Sequence, residues 1–359
     1  MITHVPRSRP RSIFVVAVLV AVFILPRTAG ASCGSVSCFV VIGSQQQVSP
    51  AGVLTANLTY NYTPNGLPPD GANTIPFANQ QTKQLILGNT PVRNLETLVQ
   101  TAALDLNYGL TERFGLQVML PYKSVQSVGQ FGPGTVSSFN DQGLGDILGK
   151  VKYNLLPTLR SMLVLEMGVY VPTGTYRQAG PNGQYAESTL QLGRGAFGFQ
   201  PSFYQTYEIL PHRLNQFLQG SWRYTLRNPD GYQFGQEYAL NLGFNIVTVP
   251  WLTLTEQINF RYKTKDNIEA ALYQLVGPPV NRAVLIDGTI TGRPVPTTNF
   301  TYAAFSTGIL LNLWDFAQGY FMAQIPFYRD FNGNLQLEIS YIGGLTKYFV
   351  TPPLFSGAT

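Results

Sequence analysis

The sequence predicts an all-β membrane protein, a transmembrane antiparallel up-and-down β-barrel of about twelve strands. Three observations predict it. Apolar and polar residues alternate with a period of two along successive segments, the mark of a strand with two different faces. Charged residues make up only 11% and aromatics 13% of the chain, with 22 Phe and 20 Tyr, against a usual charged fraction of about 25%. The connectors between the alternating segments are by turns short and long, as in outer-membrane barrels.

The first residues are expected to lie outside this fold. Arg7, Arg9 and Arg11 form a basic region, Ile13 to Leu25 is an unbroken apolar run, and Ala29-Gly30-Ala31 is a small-residue cleavage site before Ser32. Together they read as a secretory signal peptide. The run is shorter than the roughly 20 residues of a spanning helix, and Gly30 stands where a lipoprotein signal would carry a branched apolar residue. The four arginines Arg7, Arg9, Arg11 and Arg27 fall in this segment with no acid. Removing them from the 23 basic residues leaves 19 against 18 acidic ones. Near-neutrality gives no reason to expect a nucleic-acid partner. Past residue 31, no apolar run is long enough for a transmembrane helix.

The twelve expected strands follow in order. Leu54 to Tyr62 alternates Leu54, Ala56, Leu58, Tyr60 and Tyr62 with Thr55, Asn57, Thr59 and Asn61. Leu98 to Tyr108 and Phe114 to Tyr122 form a hairpin around Leu110-Thr111-Glu112-Arg113. Ile147 to Leu155, Leu163 to Val171, Gly195 to Ile209, Leu218 to Leu226, Phe234 to Ile246 and Leu252 to Tyr262 come next. Phe300 to Leu311, Tyr320 to Tyr328 and Leu335 to Phe349 complete the set. In the last strand Leu335, Leu337, Ile339, Tyr341, Leu345 and Phe349 share the outward face, interrupted by Gly343 and Lys347, and Glu338 falls on the other. Connectors near 110–113, 156–160, 211–215, 249–251 and 313–317 are short. Those near 64–96, 123–143, 172–192, 227–233, 264–297 and 329–334 are longer and hold the turn formers, such as Pro64-Asn65-Gly66 and Pro172-Thr173-Gly174. An even strand number puts both ends on the periplasmic side, with residues 32–50 either periplasmic or tucked into the lumen. The aromatics Tyr60, Tyr62, Tyr108, Tyr122, Tyr153, Tyr262 and Phe349 end strands on the outward register, where interfacial girdles lie. The expected organisation is a signal peptide over 1–31, a periplasmic segment over 32–52, a barrel over 53–349 and a tail over 350–359, in the outer membrane.

Four stretches carry a resemblance: YGLTERFGLQVMLPY at 108–122, GLGDILGKVKYNLL at 143–156, VPTGTY at 171–176 and IPFYRDFNGNLQL at 325–337. Over about 53–349 the chain resembles the meta-pathway phenol-degradation (MetA-pathway) family of outer-membrane transporters. The resemblance implies a barrel scaffold and, through the family's name, an aromatic small molecule as candidate cargo. The SCGSVSC stretch holding Cys33 and Cys38 lies outside it.

Nothing in the sequence assembles an enzyme, and no cofactor is expected. The one histidine after residue 31, His212, sits in the short turn Pro211-His212-Arg213, whereas acyl-transfer chemistry needs a histidine beside a nucleophile. No zinc-protease, phosphate-loop or nucleophile-elbow pattern is present, and Gly193-Arg194-Gly195 and Gly143-Leu144-Gly145 read as turn or strand-edge glycines. The chemistry left lies on the inward face. Asp105, Lys150, Lys152, Glu166, Glu208, Arg223, Glu237, Arg261, Lys263 and Glu338 fall there by alternation, because a lipid-facing Lys or Arg at mid-depth costs roughly 2–4 kcal/mol. They are the candidate lumen-lining residues, either a selective lining or a salt-bridged plug. Two functions follow. One is a channel or transporter for small, aromatic or hydrophobic, solutes. The other is a structural or assembly barrel docking a periplasmic partner through residues 32–50. A barrel of about twelve strands implies a narrow or gated path.

Cys33 and Cys38 are the only cysteines, five residues apart with no His, Asp or Glu beside them. This is the setting of a small disulfide loop in an oxidising compartment rather than of a metal site. Thiol labelling of exported protein without reductant is expected to find neither thiol free; quantitative labelling of both refutes the pairing.

Overall fold

In a computed structural model the chain is described over residues 46–66, 92–131, 136–158, 160–178, 190–229, 231–268, 293–294, 298–313, 317–331 and 335–351. The signal-peptide and cysteine-pair expectations, and nearly all of the tail, lie outside these residues.

Twelve strands close into one antiparallel barrel. They are β1 (Val53–Gly66), β2 (Val92–Gly109), β3 (Phe114–Phe131), β4 in two pieces (Val136–Leu144 and Ile147–Asn154), β5 (Ser161–Val171), β6 (Gly198–Leu210), β7 (Leu214–Thr225), β8 (Glu237–Val249), β9 (Leu252–Lys263), β10 (Phe300–Leu313), β11 (Ala317–Asp330) and β12 (Ser340–Val350). Each pairs with its chain neighbours, and β1 also pairs with β12 from Val53↔Val350 to Tyr62↔Tyr341. Closure leaves no edge, so backbone groups facing hydrocarbon are bonded within the wall. All twelve segments expected from alternation are wall strands.

The faces are inverted relative to a water-soluble protein. On β8 and β9, Tyr238, Leu240, Leu242, Phe244, Ile258, Phe260 and Tyr262 are exposed, while Glu237, Asn241, Thr255, Gln257 and Asn259 are buried. The same inversion runs along β3, where Phe114, Leu116 and Val118 face out and Gln117 and Met119 face in. A wall with its oil outside and its amides inside is stable only where the outer solvent is hydrocarbon. Outer aromatics stack in pairs across strands, Tyr238 with Tyr262 at 6.1 Å and Phe321 with Tyr341 at 6.1 Å between ring centroids.

Three local features depart from the sequence expectations. First, 123–143 is not a loop. β3 runs on to Phe131 and pairs with the first piece of β4, from Tyr122↔Leu144 to Gln130↔Val136. β2 and β3 are 18 residues long, well beyond the ~9–11 that span a bilayer. Second, β4 is interrupted at Gly145-Asp146, opposite Pro121. Proline has no N–H to continue the ladder, and Gly145 N donates instead to the Pro121 carbonyl at 2.8 Å. Third, the alternation expected through Leu335–Phe349 breaks at Glu338-Ile339. Tyr62 pairs with Tyr341, but Asn65 pairs with Leu337, so one extra residue is inserted opposite Pro64. A one-residue shift exchanges faces. Leu337 is therefore buried against Tyr302 and Ala304, and Glu338 is exposed, the reverse of the expectation for both. Lys347, on the outward register, is buried, its ammonium 5.7 Å from the Phe349 ring.

The tight turns join the strands at one end. In the first, the Thr111 hydroxyl accepts from the backbone N–H of Arg113 and Phe114. In the turn after β6, His212 adopts φ 58° and is solvent-exposed.

Depth should govern the cost of charge on the outer face. Leu242→Arg, at the middle of β8, is expected to destabilise folding into vesicles by about 2–4 kcal/mol, and Thr248→Arg, next to the short turn, by about 0–1 kcal/mol. Urea titration of the two variants reads the difference; equal costs contradict a lipid-facing β8.

Candidate functional site

The interior is packed in layers. At the short-turn end, residues 46–50 enter the barrel. Val48 is buried against Val164, Tyr204 and Phe217. The Gln47 carbonyl accepts from Asn107 Nδ2 at 3.3 Å and Lys152 Nζ at 3.4 Å, and Ser49 Oγ bonds Thr55 Oγ1 at 3.0 Å. Gly109 makes room for this segment: a Cβ there would lie 2.1 Å from the carbonyl oxygens of Ser49 and Pro50.

The middle layer is polar and bonded to itself. Gln219, Asn241, Asn259 and Ser306 form a chain across β7, β8, β9 and β10. Asn241 Nδ2 donates to Gln219 Oε1 at 2.5 Å, Asn259 Nδ2 to Asn241 Oδ1 at 2.7 Å and Ser306 Oγ to Asn259 Oδ1 at 2.5 Å. On the adjoining wall Glu166 receives Lys150 at 2.6 Å and Ser202 at 2.7 Å, with Lys152 at 3.8 Å. Gln117 donates to Asp105 at 2.5 Å. Buried charges survive in a low dielectric only when paired and hydrogen-bonded. Beside these groups lie apolar surfaces, Ala103, Met119, Leu148 and Tyr170 on one side and Leu310, Tyr320, Met322 and Ile342 on another.

The long-loop end is built around the break in β4. Asp146 turns in and its two carboxylate oxygens accept from the backbone N–H of Gly174 at 3.2 Å and Arg194 at 2.9 Å. The Thr173 hydroxyl donates to the Gly145 carbonyl at 2.8 Å and accepts from Ile147 N at 3.0 Å. The two limbs of the single connector between β5 and β6 are thereby pulled into the mouth. Their backbones touch at Gly174 and Gly193, where a Cβ on Gly193 would lie 2.3 Å from the Gly174 carbonyl oxygen. The second limb delivers Arg194 to Glu237, whose other oxygen takes Arg261 at 2.7 Å. Arg194 also donates to Thr225 at 3.0 Å. Burial lowers the pKa of this loop guanidinium, but the carboxylate of Glu237 beside it brings the net shift above the ordinary arginine value. Lys263 pairs with Asp266 at 2.8 Å, and Asp266 also accepts from Tyr232 and from Gly235 N. Lys123 donates to the Leu192 carbonyl at 2.8 Å.

Of the ten candidate lining residues, Asp105, Lys150, Lys152, Glu166, Arg223, Glu237, Arg261 and Lys263 point inward, in two groups: the first four at mid-barrel, the last four at the long-loop end. Glu208 sits at the short-turn rim, where it accepts from His212 N. Glu338 is on the outside, for the bulge reason given above. Lys123, Arg194, Asp266 and the 46–50 segment were not singled out by alternation. Arg194 and Asp266 lie outside the strands, and Lys123 is beyond the expected end of its strand; no two-faced pattern marks them. The GLGD stretch held the available signal, a buried aspartate flanked by glycines.

The comparisons fit this architecture. Residues 92–269 match the family model described as "Putative MetA-pathway of phenol degradation"; the 325–337 stretch lies beyond that match. The crystal structure of an outer membrane channel from Pseudomonas putida F1 is similar, with a TM-score of 0.59 at 12% identity over 86% of this chain and 100% of that one. Weaker likenesses are the β domain of a Bordetella autotransporter, with a TM-score of 0.43 at 12% identity, covering 83% of this chain and all of that one, and the KdgM porin, with 0.41 at 7%, covering 82% and 99%. At 12% identity the likeness to the Pseudomonas putida F1 channel shows the fold alone, a closed antiparallel β-barrel of the outer-membrane type. No curated protein matches the sequence.

Asp146→Ala is expected to free both limbs of the connector between β5 and β6 at once. It removes a carboxylate from two backbone N–H groups, hydrogen bonds to a charged group worth about 1.5–3 kcal/mol each. Limited proteolysis of the folded barrel should then cut within residues 172–196 at least tenfold faster than in the parent. An unchanged cleavage rate contradicts the fastening role.

Proposed function

We propose that this chain, an outer-membrane-type barrel whose residues 92–269 match the phenol-degradation family, is an outer-membrane channel for small solutes, aromatic or hydrophobic ones included. The observation that carries the reading is the interior: a closed wall encloses bonded polar and charged groups of both signs, next to apolar faces such as Met119, Leu148 and Tyr170. A barrel that served only as a scaffold needs no mixed lining; a path for small amphipathic molecules does. The phenol-degradation match and the channel from Pseudomonas putida F1 support the same reading, and an aromatic cargo rests on the family description.

The path is narrow and gated. Inward side chains at mid-barrel, among them Met119, Asn259, Ser306 and Thr346, are 0% exposed. Residues 46–50 occupy the short-turn mouth, which in this reading is the periplasmic one. That placement favours a gate over the alternative of a segment presented to a periplasmic partner, because Gln46, Val48 and Ser49 are buried inside the wall. The chain reaches the outer membrane through its N-terminal signal, which is cleaved.

Purified protein in planar bilayers is expected to show small, solute-dependent conductance. Replacing residues 46–50 by Gly-Ser-Gly-Ser-Gly should raise it severalfold. A barrel that neither conducts nor swells liposomes, with or without the replacement, defeats the channel reading.

A further inference from the structure

Arg223 stands apart from the other inward charges. It lies on β7, is 6% exposed, and its guanidinium carbon sits 3.7 Å from the centre of the Tyr170 ring. Among the described residues its Nε and Nη1 have no hydrogen-bond partner. The nearest carboxylate by register is Glu237, directly opposite on β8, but both Glu237 oxygens are taken, one by Arg194 and one by Arg261. Asp146 is committed to two backbone N–H groups, and Asp266 to Lys263 and Tyr232. Arg223 has Arg194 as well as Asp146 and Glu237 around it, and Lys123, Arg261 and Lys263 belong to the same cluster of charges. Arginine stays protonated in proteins and accepts nothing. A buried guanidinium with open donors calls for an anion.

We infer that Arg223 is the seat of a carboxylate, and that the ligand is a small aromatic or apolar carboxylic acid in its anionic form. The open donors supply the charge-assisted hydrogen bonds. The body of the ligand is served by the apolar cluster that begins at the same Tyr170 ring and continues through Leu148, Met119 and Ala103. Arg194 lies beside the seat, bonded to Thr225 two residues along β7. Binding does not depend on the channel reading; only the seat's place on a transport path rests on it.

Isothermal titration of the detergent-solubilised full chain with benzoate, and with the neutral benzamide at matched ionic strength, tests the seat. Benzoate is expected to bind and benzamide to bind at least tenfold more weakly. Arg223→Gln should lower benzoate affinity at least tenfold, and Arg223→Lys should recover part of it. Thermal unfolding of Arg223→Gln is expected at or above the parent temperature, since the substitution removes a buried unpaired charge, whereas a structural arginine would leave the variant less stable. Equal binding of benzoate and benzamide, or unchanged benzoate affinity in Arg223→Gln, overturns the inference. Bilayer recording separates the two readings: benzoate binding without conductance sinks the channel and leaves the seat, and conductance without benzoate binding sinks the seat alone.

Discussion

Hydrocarbon offers the backbone no hydrogen-bond partner, and the rest of this structure follows from that. A sheet in oil must return to its own first strand, so β1 is shared between β2 and β12. Once the wall is closed, each strand has one face in lipid and one in a confined space. The outward positions become largely apolar, as on Tyr238, Leu240 and Leu242, and most polar groups carried by the strands are driven inward to find partners, while Glu256 on the outward register is bonded to Thr307. The bonded chain from Gln219 to Ser306 and the Glu166 cluster are answers to that requirement.

The wall was legible because two solvents write two alternating alphabets. Where a strand leaves the membrane the code stops. Val136–Leu144, with its Ser, Asn and Gln, has water available on both sides, so its pairing with β3 leaves no period-two trace. The misplacement of Leu337 and Glu338 has a different origin. Alternation counts residues along one strand, but face is decided by pairing with the next, and the extra residue opposite Pro64 is a property of the pair. At the candidate site, charges borne by strands, such as Lys150 and Glu237, were readable from their register. Arg194 and Asp266 lie between strands and reach the interior only through folding of their loops, which no periodicity encodes.

The two mouths are managed by different means. At the long-loop end a single carboxylate, Asp146, reaches through a gap in the ladder that Pro121 opens, and holds both limbs of one loop by their backbones. At the short-turn end the chain uses itself: Val48 fills a pocket of Val164, Tyr204 and Phe217, and glycine at 109 lets the incoming backbone pass close to the wall. One fastening is electrostatic and tied to fixed donors. The other is one apolar side chain and a few hydrogen bonds made by a short stretch of chain, which has few contacts to release.

The position of residues 46–50 bears on how the barrel is made. They immediately precede β1, and β1 is the strand that zips to β12 to seal the wall. The leader must therefore already lie on the concave side of the curling sheet when the seam shuts, or be drawn through it afterwards. Captured early, the segment acts as a mandrel around which the first strands bend; drawn in late, it stoppers a mouth that has already formed.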